Sequence, residues 1–413
     1  MTERFQIASL NVRNLVPPST PREAHYFYER HSHHRYDSRD EPATDRYGQK
    51  CDWLAAQINR LNADILCLQE VFDPRPLADV MARTRWAEAH EIALGGTPAP
   101  LRTRRADGRD EFVYDTPLVA AVATGETKIE RFDVLDAFPS GFDFDRVVED
   151  PAGRRFQLEL TAGGESLGRF SRPVLRLTLG LGPRFAGVKG VDPAQGARVT
   201  VFVAHLKSKR PLFDLAPNGN DARLAADLAR EHAIGQARAL MLRAIEAAAL
   251  RAWVVQTLSE APEVPVFVVG DLNDGPQAVT TQIAGGLSPP RVDRSVSPDP
   301  MRRAELIDRV ADLCLYSSYR LQTQRIHRDI YYSHIYDGVY DLLDHILVSS
   351  HFVPRYARDG LGRAAIGEIA SFAVFNDHIL DAEIDDLRSA DVGAHAHTRS
   401  DHGAVLARMD WYE

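Results

Sequence analysis

Apolar residues along this chain fall in short runs, and several of these runs stop abruptly at a polar side chain. The clearest run covers residues 264–270, where the β-branched and aromatic composition and the closing glycine predict a buried strand. Asp271 and Asn273 follow directly, and the alternation of an extended chain puts both on the same side. Taken alone, this segment is better described as a strand followed by an Asx-type turn.

The same pattern recurs along the chain. Residues 5–10 end on Asn11; 64–68 lead through Gln69 to Glu70; 199–204 end on His205, with Lys207 and Lys209 beyond; 342–348 carry Asp344 and His345; and Asp401 and His402 precede the run 404–407. Ligand sites in α/β proteins gather at the carboxyl ends of strands. The repetition therefore favours one shared site over a series of unrelated turns.

Helical spacing appears in two segments. Leu54, Ile58 and Leu61 predict a helix over about 47–62. The longest helical candidate covers about 221–258, with residues 218–221 offering capping side chains at its start. Its expected apolar stripe consists of Ala237, Leu240, Met241, Ala244 and Ala248, with Arg230, Arg238 and Arg243 mainly off the stripe.

Strands and helices together predict a mixed α/β fold. Because candidate functional residues come from both ends of the sequence, we expect a single domain over 1–413 in which Asn11, Asp271 and Asp401 converge. Residues 285–303 are rich in proline, serine and charge and are expected to form a loop.

Two polar segments interrupt this pattern. Residues 17–46 form an expected insertion with four histidines, and composition favours a solvated loop over a metal site there. These histidines are His25, His31, His33 and His34. Residues 73–117 carry an arginine cluster diluted by acidic residues, which favours a solvated loop over a phosphate-binding one. The cluster consists of Arg102, Arg104, Arg105 and Arg109.

Composition narrows the class of protein. Of 413 residues, 44% are hydrophobic and 26% charged, ordinary values for a chain with a sizeable core. The net charge of −9 argues against coating nucleic acid by bulk electrostatics, although a locally basic cleft stays compatible with it. Three cysteines exclude a disulfide framework, and no run approaches the length of a membrane span. Without a signal-like N-terminus we expect a cytoplasmic protein, or a secreted one if a leader has been removed.

The candidate residues suit a hard cation and a phosphate ester. Magnesium prefers oxygen ligands, which Glu70 and Asp401 supply, with Asn11 giving an amide oxygen or a supporting hydrogen bond. The shortage of cysteine and of grouped histidines disfavours zinc. We expect Mg²⁺ as the cofactor, with Mn²⁺ as a possible substitute.

Hydrolysis at phosphorus requires a group that orients and deprotonates water and others that neutralise phosphoryl charge. Asp271 can align or deprotonate the water, and His402 can act as base or charge stabiliser with Asp344 fixing its tautomer. Asn273 and His205 can donate to the phosphate or the leaving oxygen. Positive charge beside them comes from Lys207, Lys209 and Arg210.

These motifs, in this order, resemble the endonuclease/exonuclease/phosphatase superfamily, which includes DNase I-like nucleases. The matching segments are Asn11; Leu68 to Glu70; His205 to Lys209; Gly270 to Asp274; Leu343 to Leu347; and Ser400 to His402. The resemblance implies a four-layer α/β sandwich of two packed mixed sheets flanked by helices. It also implies a Mg²⁺ site at Glu70, a catalytic pair of Asp344 and His402, and phosphate contacts from Asp271, Asn273 and Arg172. The segments 205–209 and 332–338 are similar to bacterial nucleases of this superfamily.

The resulting hypothesis is a metal-dependent phosphodiesterase, with a nuclease acting on DNA or RNA as the first choice. The alternative is a phosphoesterase for a small-molecule or lipid-headgroup phosphate, although no membrane anchor is apparent. A calcineurin-like phosphatase would share Gly270, Asp271 and Asp274 but needs further motifs that are missing. A non-catalytic module of the same fold would be expected to lose Glu70, Asp271 or His402, and all are present. The sequence predicts no oligomeric state.

Overall fold

The computed structural model describes residues 2–17, 27–28, 46–98, 102–106, 109–113, 116–142, 147–149, 153, 155–157, 161–162, 165–166, 168–192, 194, 196–212, 221–286, 292–324, 331–336, 338–354, 364–379 and 398–413. The expected insertion at 17–46 with its four histidines lies almost entirely outside the described residues. The side chains of Arg102, Arg104, Arg105 and Arg109 lie outside them as well.

Strands outnumber helices in the described chain. The strands are β1 (Thr2–Leu15), β2 (Ile65–Val71), β3 (His90–Leu94), β4 (Arg102–Ala106), β5 (Arg109–Val113), β6 (Leu118–Thr124), β7 (Lys128–Ala137), β8 (Val147–Glu149), β9 (Arg155–Gln157), β10 (Thr161–Ala162), β11 (Glu165–Ser166), β12 (Arg169–Gly180), β13 (Arg198–His205), β14 (Val266–Asp271), β15 (Leu315–Ser317), β16 (His334–Tyr336), β17 (Val339–Asp341), β18 (Asp344–Ser349), β19 (Gly367–Phe375) and β20 (Ala404–Tyr412). The α-helices are α1 (Arg46–Leu61), α2 (Pro74–Met81), α3 (Asp221–Glu260), α4 (Val279–Gly285), α5 (Pro300–Asp312) and α6 (Ser318–Thr323).

Two six-stranded sheets organise the molecule. One has the order β19-β20-β1-β2-β6-β3 and the other β15-β18-β14-β13-β12-β7. Each sheet is mixed, because β1 pairs in parallel with β2, and β13 with β14, while their other neighbours are antiparallel. This arrangement confirms the predicted α/β class with two packed mixed sheets.

Alternation along the strands explains the layering. Phe5 and Ile7 of β1 face the second sheet, where the Phe5 ring lies 5.8 Å from that of Phe267, whereas Ala8 and Leu10 face α1 and α2. The far face of the second sheet packs on α3 and α4. The order of layers is therefore helix, sheet, sheet, helix, the sandwich that the motifs implied.

Several expectations about individual elements are wrong. The strands β4 and β5 pair antiparallel where a loop was expected, and α5 begins at Pro300, inside the expected loop. On α3 the expected stripe fails, because Leu240 and Met241 are about half exposed. The buried face carries Ala239, Arg243, Glu246, Leu250, Val254 and Leu258 instead.

No helix among the described residues combines the length and the apolar character needed to cross a membrane.

Candidate active site

Strand register brings the predicted residues to one edge of the sandwich. In the second sheet His205 pairs with Asp271, and Asp271 pairs with Asp344 at the start of β18. In the first sheet Asn11 pairs with Gln69, one residue before Glu70. The carboxyl ends of β1, β2, β13 and β14 thus meet the amino ends of β18 and β20, which explains why segments far apart in sequence share a site.

Asp344 and His402 form a buried pair. His402 Nδ1 lies 2.8 Å from Asp344 Oδ2, and neither residue is more than 6% exposed. Ser333 orients the carboxylate, because its hydroxyl donates to the same oxygen at 2.7 Å. The Ser333 oxygen in turn accepts the backbone N–H groups of Leu343 and Asp344. This chain of bonds fixes the imidazole with Nε2 pointing away from Asp344.

Asp271 lies where that nitrogen points. Its Oδ2 is 4.0 Å from His402 Nε2 and 3.5 Å from His205 Nε2, and it accepts a hydrogen bond from Asn11 Nδ2 at 3.3 Å. Its Oδ1 accepts the backbone N–H of Asn273 at 2.8 Å. Asp271 is 1% exposed, so its carboxylate occupies the centre of a largely dry cluster.

Burial and mutual charge separate the protonation states of these groups. Burial raises the pKa of Asp271 to about 7 against the opposing charge of His402. Burial alone would lower the pKa of His402, but the facing carboxylates, Asp344 first among them, outweigh it and raise that pKa to about 10. Burial holds the pKa of His205 well below its usual value, with Arg172 adding to the effect. At neutral pH the site therefore contains an imidazolium at His402 and a neutral imidazole at His205.

Glu70, Asn11 and Asp401 form the adjacent corner. Asn11 Nδ2 donates to Glu70 Oε1 at 3.2 Å, and the backbone N–H of Asn14 donates to Glu70 Oε2 at 3.0 Å. Asn11 Oδ1 accepts from the backbone of Arg13, so in this arrangement the amide nitrogen of Asn11 faces the carboxylates. Asp401 is 44% exposed on its side chain and lies 3.6 Å from Arg13 Nε.

A buried lysine links the two halves of this corner. Lys50 Nζ donates to the carbonyl oxygens of Arg13 at 2.7 Å and Arg399 at 3.3 Å, and Lys50 is fully buried. Burial lowers its pKa to about 7, while the charges of Asp401 and Glu70 oppose that change. Both carboxylates therefore lie within electrostatic reach of one ammonium group.

The oxygen donors of this corner fit a hard divalent cation. Glu70 and Asp401 provide carboxylates beside a solvent-accessible edge, as magnesium prefers. A second group, Asp271, Asp344 and His402, has ligand atoms within 4.8 Å of one another. It is a weaker candidate because His402 Nδ1 is engaged with Asp344 and the raised pKa keeps the imidazole protonated, whereas a ligating histidine must be neutral.

The backbone at this edge is strained. Glu70 and Asn273 adopt positive φ values of 63° and 55°, which are uncommon for residues other than glycine. Gly270 has φ 139°, and a Cβ there would lie 2.0 Å from the carbonyl oxygen of Ala204. The glycine before Asp271 is therefore required by the close approach of β13.

The predicted phosphate-contacting residues lie beside this cluster but are partly engaged with the protein. Arg172 Nη1 donates to the carbonyl of Leu206 at 2.8 Å, and Asn273 Nδ2 donates to the same carbonyl at 3.0 Å. Lys207 directs its ammonium to the carbonyls of Ser208 and Arg210. Lys209 pairs with Asp341 at 2.6 Å.

Four residues that support the site were not predicted from the sequence to do so. Ser333 holds Asp344, and Lys50 joins the last residues of β1 to the segment before β20. On α3, Glu246 accepts the N–H groups of Ser171 and Lys207, and Arg243 binds Asp274. The sequence signal for Arg243 and Glu246 was their position three residues apart, on one face of a helix.

No protein-family model matches the chain, and no curated protein matches its sequence. Solved structures are similar at low identity. An endonuclease/exonuclease/phosphatase from Bacteroides vulgatus is 12% identical, with 99% of each chain covered and a TM-score of 0.45. A family protein of the same name from Bacteroides thetaiotaomicron is 13% identical over the whole of both chains, with a TM-score of 0.44. TDP2 from C. elegans is 14% identical over 98% of this chain and 75% of its own, also at 0.44.

Two of these proteins carry the superfamily name that the sequence motifs suggested. Sequence identities and TM-scores this low give no grounds for assigning the activity of those proteins to this chain. The function of this chain has to be argued from the site itself.

Proposed function

We propose that this protein is a Mg²⁺-dependent phosphodiesterase of the endonuclease/exonuclease/phosphatase type, acting on nucleic acid as an endo- or exonuclease. The observation that carries the proposal is the hydrogen-bonded pair of Asp344 and His402 directed at the buried carboxylate of Asp271. That arrangement places a proton acceptor, Asp271, 4.0 Å from a positive charge, His402. Attack of water on a phosphodiester requires both groups close together.

Asp271 is the group that takes the proton from water. A base works best when its pKa lies near the working pH, and burial raises the pKa of Asp271 to about 7. His402 carries the complementary charge, because its protonated Nε2 can donate to a phosphoryl oxygen that becomes more negative during attack. Asp344 and Ser333 hold that imidazolium in place.

His205 and Asn273 complete the phosphate pocket. His205 is neutral and 2% exposed, and its Nε2 faces Asp271, so it can orient the water or a phosphoryl oxygen by a hydrogen bond. The Asn273 amide donates one N–H to the carbonyl of Leu206, and its second N–H is the proposed further donor to the phosphate. Arg172 and Lys207 supply positive charge behind these donors.

Glu70 and Asp401 are the proposed metal ligands. Asn11 fixes the positions of the Glu70 and Asp271 carboxylates by donating a hydrogen bond to each. Mg²⁺ bound there would neutralise charge on the phosphate during hydrolysis, and Mn²⁺, which also prefers oxygen ligands, can replace it.

A phosphoesterase for a small-molecule or lipid-headgroup phosphate is the alternative, since the same chemistry serves any phosphate ester. The net charge of −9 favours it, whereas the basic residues Lys207, Lys209 and Arg210 beside the site favour a polyanionic substrate.

The two proposals are separated by a substrate panel. Purified protein is incubated with Mg²⁺ and, in parallel, with single-stranded DNA, duplex DNA, RNA, bis-p-nitrophenyl phosphate and phosphatidylinositol phosphate vesicles. Shortened polynucleotide products, abolished by EDTA and restored by Mg²⁺, are expected. Hydrolysis of the small diester or the lipid without any polynucleotide product would reject the nuclease proposal and retain the phosphoesterase.

A further inference from the structure

The hairpin of β16 and β17 presents aromatic and apolar side chains to solvent beside the active site. Tyr336 is 76% exposed, Val339 63% and Tyr340 50%. Exposing a tyrosine ring and a valine together on a short hairpin leaves apolar surface in water with no gain in packing. Such surface marks a contact with another molecule.

Register divides these side chains between two faces. His334 pairs with Asp341 and Tyr336 with Val339, and residues paired across two strands point to the same side. Ile335 and Tyr340 occupy the opposite side, where the Tyr340 ring packs edge-on against Tyr332 at 4.9 Å. The face with His334, Tyr336, Val339 and Asp341 is called the ring face below.

The ring face begins at the catalytic imidazole. His334 forms a backbone bridge with His402, and the centroids of their rings are 4.7 Å apart. The rings of His334 and Tyr336 are nearly parallel, at 16°, with centroids 6.4 Å apart. Three rings therefore follow one another outward from the site of attack to the exposed tip of the hairpin.

A cation lies at the base of the same face. Lys209 Nζ is 2.6 Å from Asp341 and 3.6 Å from Asp274, and its side chain is 48% exposed. Proteins bind single-stranded nucleic acid with aromatic side chains on which bases stack and with cations that meet backbone phosphates. Lys209, paired with Asp341 of the ring face and with Asp274, is the cation at this face.

We propose that the ring face binds an unpaired base next to the scissile phosphate, with Tyr336 as the stacking residue, so that the substrate is a single-stranded nucleic acid. This inference rests on the proposed function and specifies its substrate. Bases in a duplex already stack on their neighbours and cover one another's faces, whereas an unpaired base can place its face on a protein ring. The Tyr336 ring is separated from the His402 ring by two ring-to-ring steps, of 6.4 and 4.7 Å, which places that base beside the nucleotide under attack.

Binding of fluorescently labelled oligonucleotides, followed by anisotropy in EDTA to prevent hydrolysis, tests the proposal. The probes are a single-stranded thymidine oligomer of about 12 nucleotides, an abasic strand of the same length and the corresponding duplex. The variants are Tyr336→Phe, which keeps the ring, Tyr336→Leu, which keeps apolar bulk without a ring, and Tyr340→Leu, a matched change on the opposite face. Melting temperatures verify that all variants are folded.

The wild-type protein and Tyr336→Phe should bind the single strand with equal affinity, and Tyr336→Leu should bind it about 5- to 150-fold more weakly, the range expected from the loss of one base stack. Tyr340→Leu should bind like the wild type, and the abasic strand should not distinguish Tyr336→Leu from the wild type.

Equal binding of the single strand by Tyr336→Leu and the wild type would overturn the ring face while leaving a nuclease in place. Tighter binding of the duplex, or equal binding of abasic and normal strands, would overturn it as well. A further outcome is that the wild type binds no oligonucleotide but binds anionic lipid vesicles, and that Tyr336→Leu does not bind the vesicles. The hairpin would then contact membranes, and both this inference and the nucleic-acid substrate would fail.

Discussion

At the scale of single residues, the site depends on two neighbouring groups, Asp271 and His402, whose pKa values are both raised by their surroundings. Burial makes Asp271 a weaker acid, which suits a base that must take a proton near neutral pH. Asp344 makes His402 a stronger base, which keeps it protonated and able to stabilise negative charge. The two pKa values are linked, because Asp344 raises both of them and the charges of Asp271 and His402 act on each other.

Substituting Asp344 with asparagine should shift the pH dependence of activity. In the wild type, kcat/KM for a small diester at saturating Mg²⁺ should rise as Asp271 loses its proton near pH 7 and fall as His402 loses its own near pH 10. Asp344→Asn removes the main charge that raises the pKa of His402, so the alkaline limb should move to lower pH. An alkaline limb that stays in place would show that His402 is not the group that titrates there.

Lys50 should make folding stability depend on pH. Its pKa is lowered to about 7 by burial, below the 10.5 of an unfolded chain, so between these values the unfolded state binds more protons and stability rises with pH. Denaturant unfolding in EDTA at several pH values should show the stability of the wild type falling relative to that of Lys50→Met as the pH is lowered from 10.5 to about 7, by up to about 1.4 kcal/mol per pH unit. Lys128→Met, at an exposed lysine, is the control and should show no such trend. A constant difference between Lys50→Met and the wild type would contradict the burial of the charged amine.

At the scale of elements, α3 is a support for the active-site loops as well as a cover for the second sheet. Glu246 is 1% exposed, and its two carboxylate oxygens accept the N–H groups of Ser171 and Lys207, each at 2.8 Å. Arg243 binds Asp274 and the carbonyl of Lys207. The helix thus holds β12 beside Arg172 and the loop that follows His205.

Removing Glu246 should therefore cost stability. Glu246→Ala leaves two part-buried N–H groups without this acceptor, each worth about 1–3 kcal/mol, so the free energy of unfolding should fall by about 2–6 kcal/mol. Glu260→Ala, at the exposed end of the same helix, should change it by less than about 0.5 kcal/mol. Chemical denaturation of both variants measures the difference. A loss in Glu246→Ala no larger than in Glu260→Ala would show that the helix does not support these loops.

Whether a strand or helix could be predicted from the sequence depended on which of its faces are buried. The central strands β1, β2, β13 and β14 are buried on both faces, so their apolar runs and polar ends were visible in the sequence. Helix α5 was missed because none of its residues is fully buried and its first turn lies in a segment rich in proline, serine and charge. The expected stripe on α3 was wrong because the helix buries Arg243 and Glu246, and a hydrophobicity pattern counts such residues as exposed.

At the scale of the whole molecule, the site exists only when both ends of the chain are folded together. β1 at the start pairs with β20 at the end, and the hydroxyl of Ser400 joins the carbonyl of Asn11 to the backbone N–H of His402. Sequence spacing predicted this convergence of Asn11, Asp271 and Asp401 but not the bonds that produce it. Contacts such as those of Ser400, Ser333 and Lys50 depend on tertiary positions that no local pattern specifies.

Metal binding should consequently stabilise the entire fold. A cation that binds the native site but not the unfolded chain raises the melting temperature in proportion to the logarithm of its concentration above Kd. We expect Mg²⁺ to raise Tm for the wild type and much less for Glu70→Gln, while the exposed Glu88→Gln should behave like the wild type. Thermal unfolding across a Mg²⁺ series measures this. An equal Mg²⁺ effect on Glu70→Gln would place the metal elsewhere.

The most direct test of the proposed function is the turnover of bis-p-nitrophenyl phosphate with Mg²⁺ by the wild type, Asp271→Asn and His402→Ala, each first shown to be folded by its melting temperature. The wild type should release p-nitrophenol, and each variant should do so at least about 100-fold more slowly, because each loses a group that moves a proton or stabilises charge at the phosphate. Turnover by both folded variants at close to the wild-type rate would contradict a phosphodiesterase site at Asp271 and His402.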